Sequence, residues 1–113
     1  MFARGWALTS RKKPNKGLKP GAAAGQPQRH LIVQPQFWED LHRWVQEDPR
    51  IADRLMRLVE ETRRDPFRGI GKPEPLQGEF AGCWSRRLTD EHRFVYRTTA
   101  GALDCLQGRY HYG

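Results

Sequence analysis

The sequence predicts an α+β domain: a short first strand and an antiparallel helix pair packed on one face of a mainly antiparallel sheet. Three observations carry the prediction. Apolar residues recur at helical spacing between residues 35 and 64, and alternate with polar ones from Gly82 onward. Two short turns cut the alternating part into three strands, an antiparallel meander. A β-branched run ahead of the helices adds a strand, so the predicted order is β-α-α-β-β-β.

Leu31-Ile32-Val33 is that first strand. Pro35 sits where a helix can begin, and Phe37, Leu41, Trp44 and Val45 then fall on one helical face. Asp48-Pro49 ends this helix and starts the next, with Asp48 as N-cap and Pro49 at the first position. Ile51, Leu55, Leu58, Val59 and Thr62 form the inward stripe of the second helix, and Arg63 and Arg64 complement its dipole in the last turn. Asp65-Pro66-Phe67 stops it. Residues 69–76 are too rich in Gly and Pro for regular structure and predict a loop. Its Gly-x-Gly neither follows a strand nor opens a helix, so it is no nucleotide loop. Residues 84–88 and 93–97 alternate about the turn Thr89-Asp90-Glu91. Residues 98–101 turn again, into a last strand that runs from Ala102 to Arg109-Tyr110-His111-Tyr112. With the helices on one face, the other is free for function. Arg86, Arg87, Arg93, Arg97 and Arg109 are candidates to line it, with Lys72 in the loop as a further cation.

The 113 residues suffice for one small domain, and the net charge of +7 is unevenly placed. Residues 1–30 hold seven Lys/Arg and no acid, lack apolar periodicity, and are expected to be a disordered basic extension of the domain at 31–113. That domain has thirteen basic and thirteen acidic residues, but its first part (31–62) sums to −3 and the rest to +3. A basic half facing a polyanion fits this split. Cys83 and Cys105 have neither metal spacing nor a disulfide framework, and there is no signal peptide or membrane-length apolar run. They read as buried, reduced thiols of a cytoplasmic protein. No cofactor and no metal is expected.

Glu74 is confined by Pro73 and Pro75, Arg93 lies on a central strand of the meander, and His111 ends the neighbouring one. A carboxylate, an imidazole and guanidiniums are the parts needed to cleave RNA through its own 2′-hydroxyl. A base removes the 2′ proton, the oxygen attacks phosphorus, an acid protonates the departing 5′ oxygen, and a cation holds the phosphate charge.

Four linked motifs resemble the YoeB/Txe toxins of the RelE superfamily: Gly71-Lys72-Pro73-Glu74-Pro75-Leu76, Gly82-Cys83-Trp84-Ser85-Arg86-Arg87, Glu91-His92-Arg93-Phe94-Val95-Tyr96 and Arg109-Tyr110-His111-Tyr112. Thr62-Arg63-Arg64-Asp65-Pro66-Phe67 is also similar to the family, and the likeness spans about residues 31–112. The resemblance implies a RelE-like fold and a metal-free endoribonuclease that cuts messenger RNA in the A site of the 70S ribosome. It implies Glu74 as general base, His111 as general acid, Arg93 as the cation on the transition-state phosphate, Arg87 as a second cation and Tyr112 as an orienting aromatic. Lys72, Arg86, Arg97 and Arg109 are the further cations expected to touch RNA. The implied partners are a YefM-like antitoxin that covers the active site, a second copy in a homodimer, and operator DNA contacted mainly through the antitoxin. Two departures stand out: residues 1–30 have no counterpart in the family, and Gly113 follows the terminal tyrosine. The alternatives are a non-catalytic RNA-binding or antitoxin-dependent regulatory module, and an interaction partner whose arginines are a solvated face.

Overall fold

Asp48 organises the helical layer as expected. It closes helix α1 (Pro35–Glu47) and caps helix α2 (Pro49–Arg64), whose Arg50 backbone N–H donates to its carboxylate. A cap of this kind stabilises by about 1 kcal/mol. Leu55, Leu58, Val59 and Thr62 are buried along α2, and Phe37 and Trp44 along α1. The apolar ones pack on Phe94, Tyr96, Leu103 and Cys105 of the sheet and on Leu88 beside it. Burying each such side chain contributes about 1.5–3 kcal/mol, which makes this layer the main source of stability.

The structure is a computed structural model and describes residues 29–111. The expected disorder of the N-terminal extension and the role of Tyr112 therefore lie outside the described residues. Strand β1 (His30–Val33) starts one residue before the expected boundary at 31. Arg29 is fixed too: it donates to the Arg63 carbonyl at 2.8 Å, and Arg63 donates back to the Arg29 carbonyl at 3.0 Å.

The sheet has five strands in the order β1-β5-β4-β3-β2. Strand β3 is Trp84–Arg87, β4 is His92–Thr99 and β5 is Ala102–His111. Only the β1–β5 pairing is parallel. The loop at 69–76, expected to lack regular structure, supplies β2 (Glu74–Pro75), which pairs Glu74 with Ser85 and Pro75 with Trp84. Pro75 is tolerated because β2 is an edge strand and needs no outward donor.

Two positions on α1 depart from the expected stripe. Val45 is exposed, while Asp40 is buried. The Asp40 carboxylate accepts the Gly108 backbone N–H at 2.9 Å and the Gln36 amide at 2.8 Å, which explains its tolerance of the interior. On the face away from the helices, Leu76, Cys83 and Val95 form a smaller cluster with Phe80, Leu106 and Tyr110. Both cysteines are free and buried, and burial pushes the Cys105 thiol up to about 12. No helix among the described residues is long and apolar enough to cross a membrane.

Candidate active site

The loop that carries Glu74 is held by Arg86. This side chain, fully buried, donates to the carbonyls of Asp65, Arg68 and Ile70 and to the Tyr96 hydroxyl, which itself donates to the Pro66 carbonyl at 2.6 Å. Burial raises the Tyr96 pKa, so the phenol stays a donor. The chain passes close over this clamp at Gly71, whose φ of +82° suits glycine and where a Cβ would lie 3.1 Å from that of Arg86. Lys72 follows in the left-handed region at φ 49°.

Beyond the clamp, Glu74 sits at the sheet edge with one carboxylate oxygen 3.9 Å from Nη1 of Arg93. The Arg93 side chain is 15% exposed and that of Glu74 45%. At this distance and exposure the ion pair is worth no more than about 0–1 kcal/mol, and it is readily exchanged for another anion. Tyr110 is the register partner of Arg93, and its ring meets Phe80 edge-on at 5.2 Å. Glu74, Pro75, Leu76, Gln77, Phe80 and Tyr110 line a cavity of about 390 Å³. Tyr110 therefore walls the site.

His111 is placed differently. It pairs in register with His92, with ring centroids 5.9 Å apart, and His92 in turn packs edge-on against Trp44 of α1 at 5.1 Å. Successive strand residues face opposite ways, so His92 and His111 lie on the helix side while Arg93 and Tyr110 share the face of Glu74. The structure thus joins Glu74, Arg93 and Tyr110, and sets His111 beside His92 instead. The His92 pKa is lowered, first by burial and then by Arg109 and His111, against the opposing pull of Glu91 and Asp40. His111 thus rests on a neutral imidazole.

Among the expected cations the structure sorts sharply. Arg86 cannot line the free face, because its guanidinium is consumed by loop carbonyls behind the sheet. Arg109 also leaves that face: it lies 4.1 Å over the Trp44 ring and pairs with Glu47 at 3.0 Å. Strand alternation places it on the helix side with Leu103 and Cys105, opposite to its neighbour Tyr110. Arg97 stays on the open face but pairs with Asp104 at 3.0 Å, four residues along β4 from Arg93, or about 13 Å away. Arg87 and Lys72 are exposed, and Arg87 borders a cleft of about 470 Å³ with Arg50 and Arg54 of α2. Sequence reasoning passed over Ser85, although period-two alternation places it on the face of Arg87 and Arg93, directly opposite Glu74. It also passed over His92, which the Glu-His-Arg motif contains.

Comparison with known proteins agrees with this architecture. A family model described as a YoeB-like toxin of bacterial type II toxin–antitoxin systems matches residues 33–112. Toxin YoeB of Mycobacterium bovis is 52% identical over 84 residues, covering 74% of this chain and 99% of that protein. A structure of a YoeB dimer from Staphylococcus aureus is 32% identical with a TM-score of 0.69, covering 74% of this chain and 98% of that one. A YoeB–YefM complex from the same organism is 30% identical with a TM-score of 0.67, at the same coverage of both chains. Fold, motif order and these likenesses converge, and the chain belongs to the YoeB family of toxins of bacterial type II toxin–antitoxin systems.

Proposed function

We propose that the protein is a ribosome-dependent endoribonuclease that cuts messenger RNA by metal-free attack of the 2′-hydroxyl and so arrests translation. The observation that carries this reading is the Glu74–Arg93 pair at 3.9 Å beside the Tyr110 cavity. When RNA binds, Arg93 exchanges the Glu74 carboxylate for the scissile phosphate, where a guanidinium makes stronger, two-pronged hydrogen bonds. Glu74 takes the 2′ proton, the 2′ oxygen bonds to phosphorus and the bond from phosphorus to the 5′ oxygen breaks. His111 protonates that oxygen. Attacking and leaving oxygens lie on opposite sides of phosphorus, so the acid need not touch the base, and the strand end of β5 has to deliver His111 from beyond the sheet. Arg87 and Lys72, both exposed, serve the flanking phosphates, and Tyr112 orients the substrate base.

The controlling partner is a YefM-like antitoxin that covers this cavity, with operator DNA reached mainly through it. A homodimer is a further assembly, and ribosome-bound mRNA places the action in the cytoplasm. The position of His111 beside His92 favours one alternative, a module that binds RNA without cutting. Incubating the purified protein with ribosome-bound mRNA and determining the chemistry of the new ends separates them. The expected products carry a 2′,3′-cyclic phosphate and a 5′-hydroxyl, and a 2′-deoxy nucleotide at the cut site blocks them. Products with 5′-phosphate ends, or cutting at a 2′-deoxy nucleotide, contradict the mechanism, and binding without cutting establishes the alternative.

A further inference from the structure

Ser85 is fully buried in the middle of the sheet, and its hydroxyl has no hydrogen-bond partner among the described residues. A buried donor left unpaired is a standing cost to the fold, and alanine would fill the same space without it. Across β3 the hydroxyl has two directly opposed neighbours, Glu74 on β2 and Val95 on β4. Opposed residues share a face, with Cβ atoms about 4.5–5.5 Å apart. Val95, Leu76 and Cys83 form an apolar floor on this face. Of the two opposed neighbours, only the Glu74 carboxylate can accept a hydrogen bond from Ser85.

In the free protein that carboxylate is turned toward Arg93. We infer that Ser85 is a positioning residue for Glu74, engaged when RNA arrives. The inference rests on the catalytic reading above. Once the scissile phosphate claims Arg93, Glu74 loses its cation and turns to Ser85, whose Oγ–H donates to one carboxylate oxygen. The other oxygen is left aimed at the 2′-hydroxyl. A single neutral donor fixes the direction of the carboxylate and leaves its other oxygen free. The chemistry is otherwise unchanged: the 2′ proton ends on Glu74, the new bond is from 2′ oxygen to phosphorus, and the proton from His111 leaves with the 5′ oxygen. The orphan hydroxyl of the resting state is the partner reserved for the reacting one.

The test uses the full-length protein and its Ser85→Ala variant on ribosome-bound mRNA, with thermal unfolding of both. The expected result is a kcat lower by about 10- to 100-fold, the loss of one hydrogen bond to a charged group, with KM unchanged. The unfolding temperature should stay level or rise, because the substitution deletes an unpaired buried hydroxyl. An unchanged kcat overturns the role of Ser85, as does a rise in KM alone. A fall in kcat accompanied by a fall in unfolding temperature assigns Ser85 to structure and also overturns it. If the wild-type protein does not cut at all, the catalytic reading itself fails, and the positioning role with it.

Discussion

Arg86 and Arg87 are neighbours on one strand, and the pleat alone gives them opposite surroundings. Arg86 stitches the loop carbonyls of Asp65, Arg68 and Ile70 to the sheet, while Arg87 is exposed beside Arg50 and Arg54. Arg86→Ala strands those acceptors and the Tyr96 hydroxyl, at about 1–3 kcal/mol for each buried group left unpaired. Urea denaturation should show a loss of several kcal/mol, and the loop bearing Glu74 should loosen with it. Arg87→Ala should change stability by no more than about 0.5 kcal/mol, the usual range for a surface site. It should lower RNA cleavage all the same. Equal stability of the two variants would refute the division. The adjacent arginines read alike in the sequence because the partners of Arg86 are backbone carbonyls about 16 to 21 positions earlier, and carbonyls carry no residue-type signal.

At the scale of elements, the readable parts were those with a periodicity and a punctuation mark. Asp48-Pro49 divides α1 from α2, and the alternation around Thr89-Asp90-Glu91 and Gly101 delimits β3, β4 and β5. Strand β2 has neither signal, since two residues show no period and one of them is proline. The bulges in the β4–β5 pairing are equally silent, yet they bring Gly108 under α2. Gly108 is the contact that closes the layers: Asp40 accepts from its N–H, Trp44 donates to its carbonyl, and a Cβ there would lie 2.7 Å from Leu55 Cδ2. Leu55 is fully buried and has little room to yield. Gly108→Ala should therefore destabilise the fold by about 1–3 kcal/mol, the range for overpacking a core, as read from its unfolding temperature. A variant as stable as wild type would show that α2 does not press on β5 as described.

Across the whole molecule, the sheet order turns a scattered set of residues into one surface. Glu74 comes from the edge strand β2, Ser85 from β3, Arg93 from β4 and Tyr110 from β5, in spatial sequence across one face. Motif chemistry in the sequence singled out Glu74 and Arg93, which the structure pairs, but gave no means of assigning faces at the end of β5, where His111 lies with His92. In the proposed mechanism, that placement makes Glu74 and Arg93 the fixed centre and His111 the group that must be brought to it. The most direct test is the single-turnover cleavage rate of ribosome-bound mRNA by Glu74→Ala beside wild type, both checked for folding. The account predicts a rate lower by about 10²–10⁴ with the fold intact, the span expected for removal of a general base. A folded Glu74→Ala protein that cuts at the wild-type rate would contradict it.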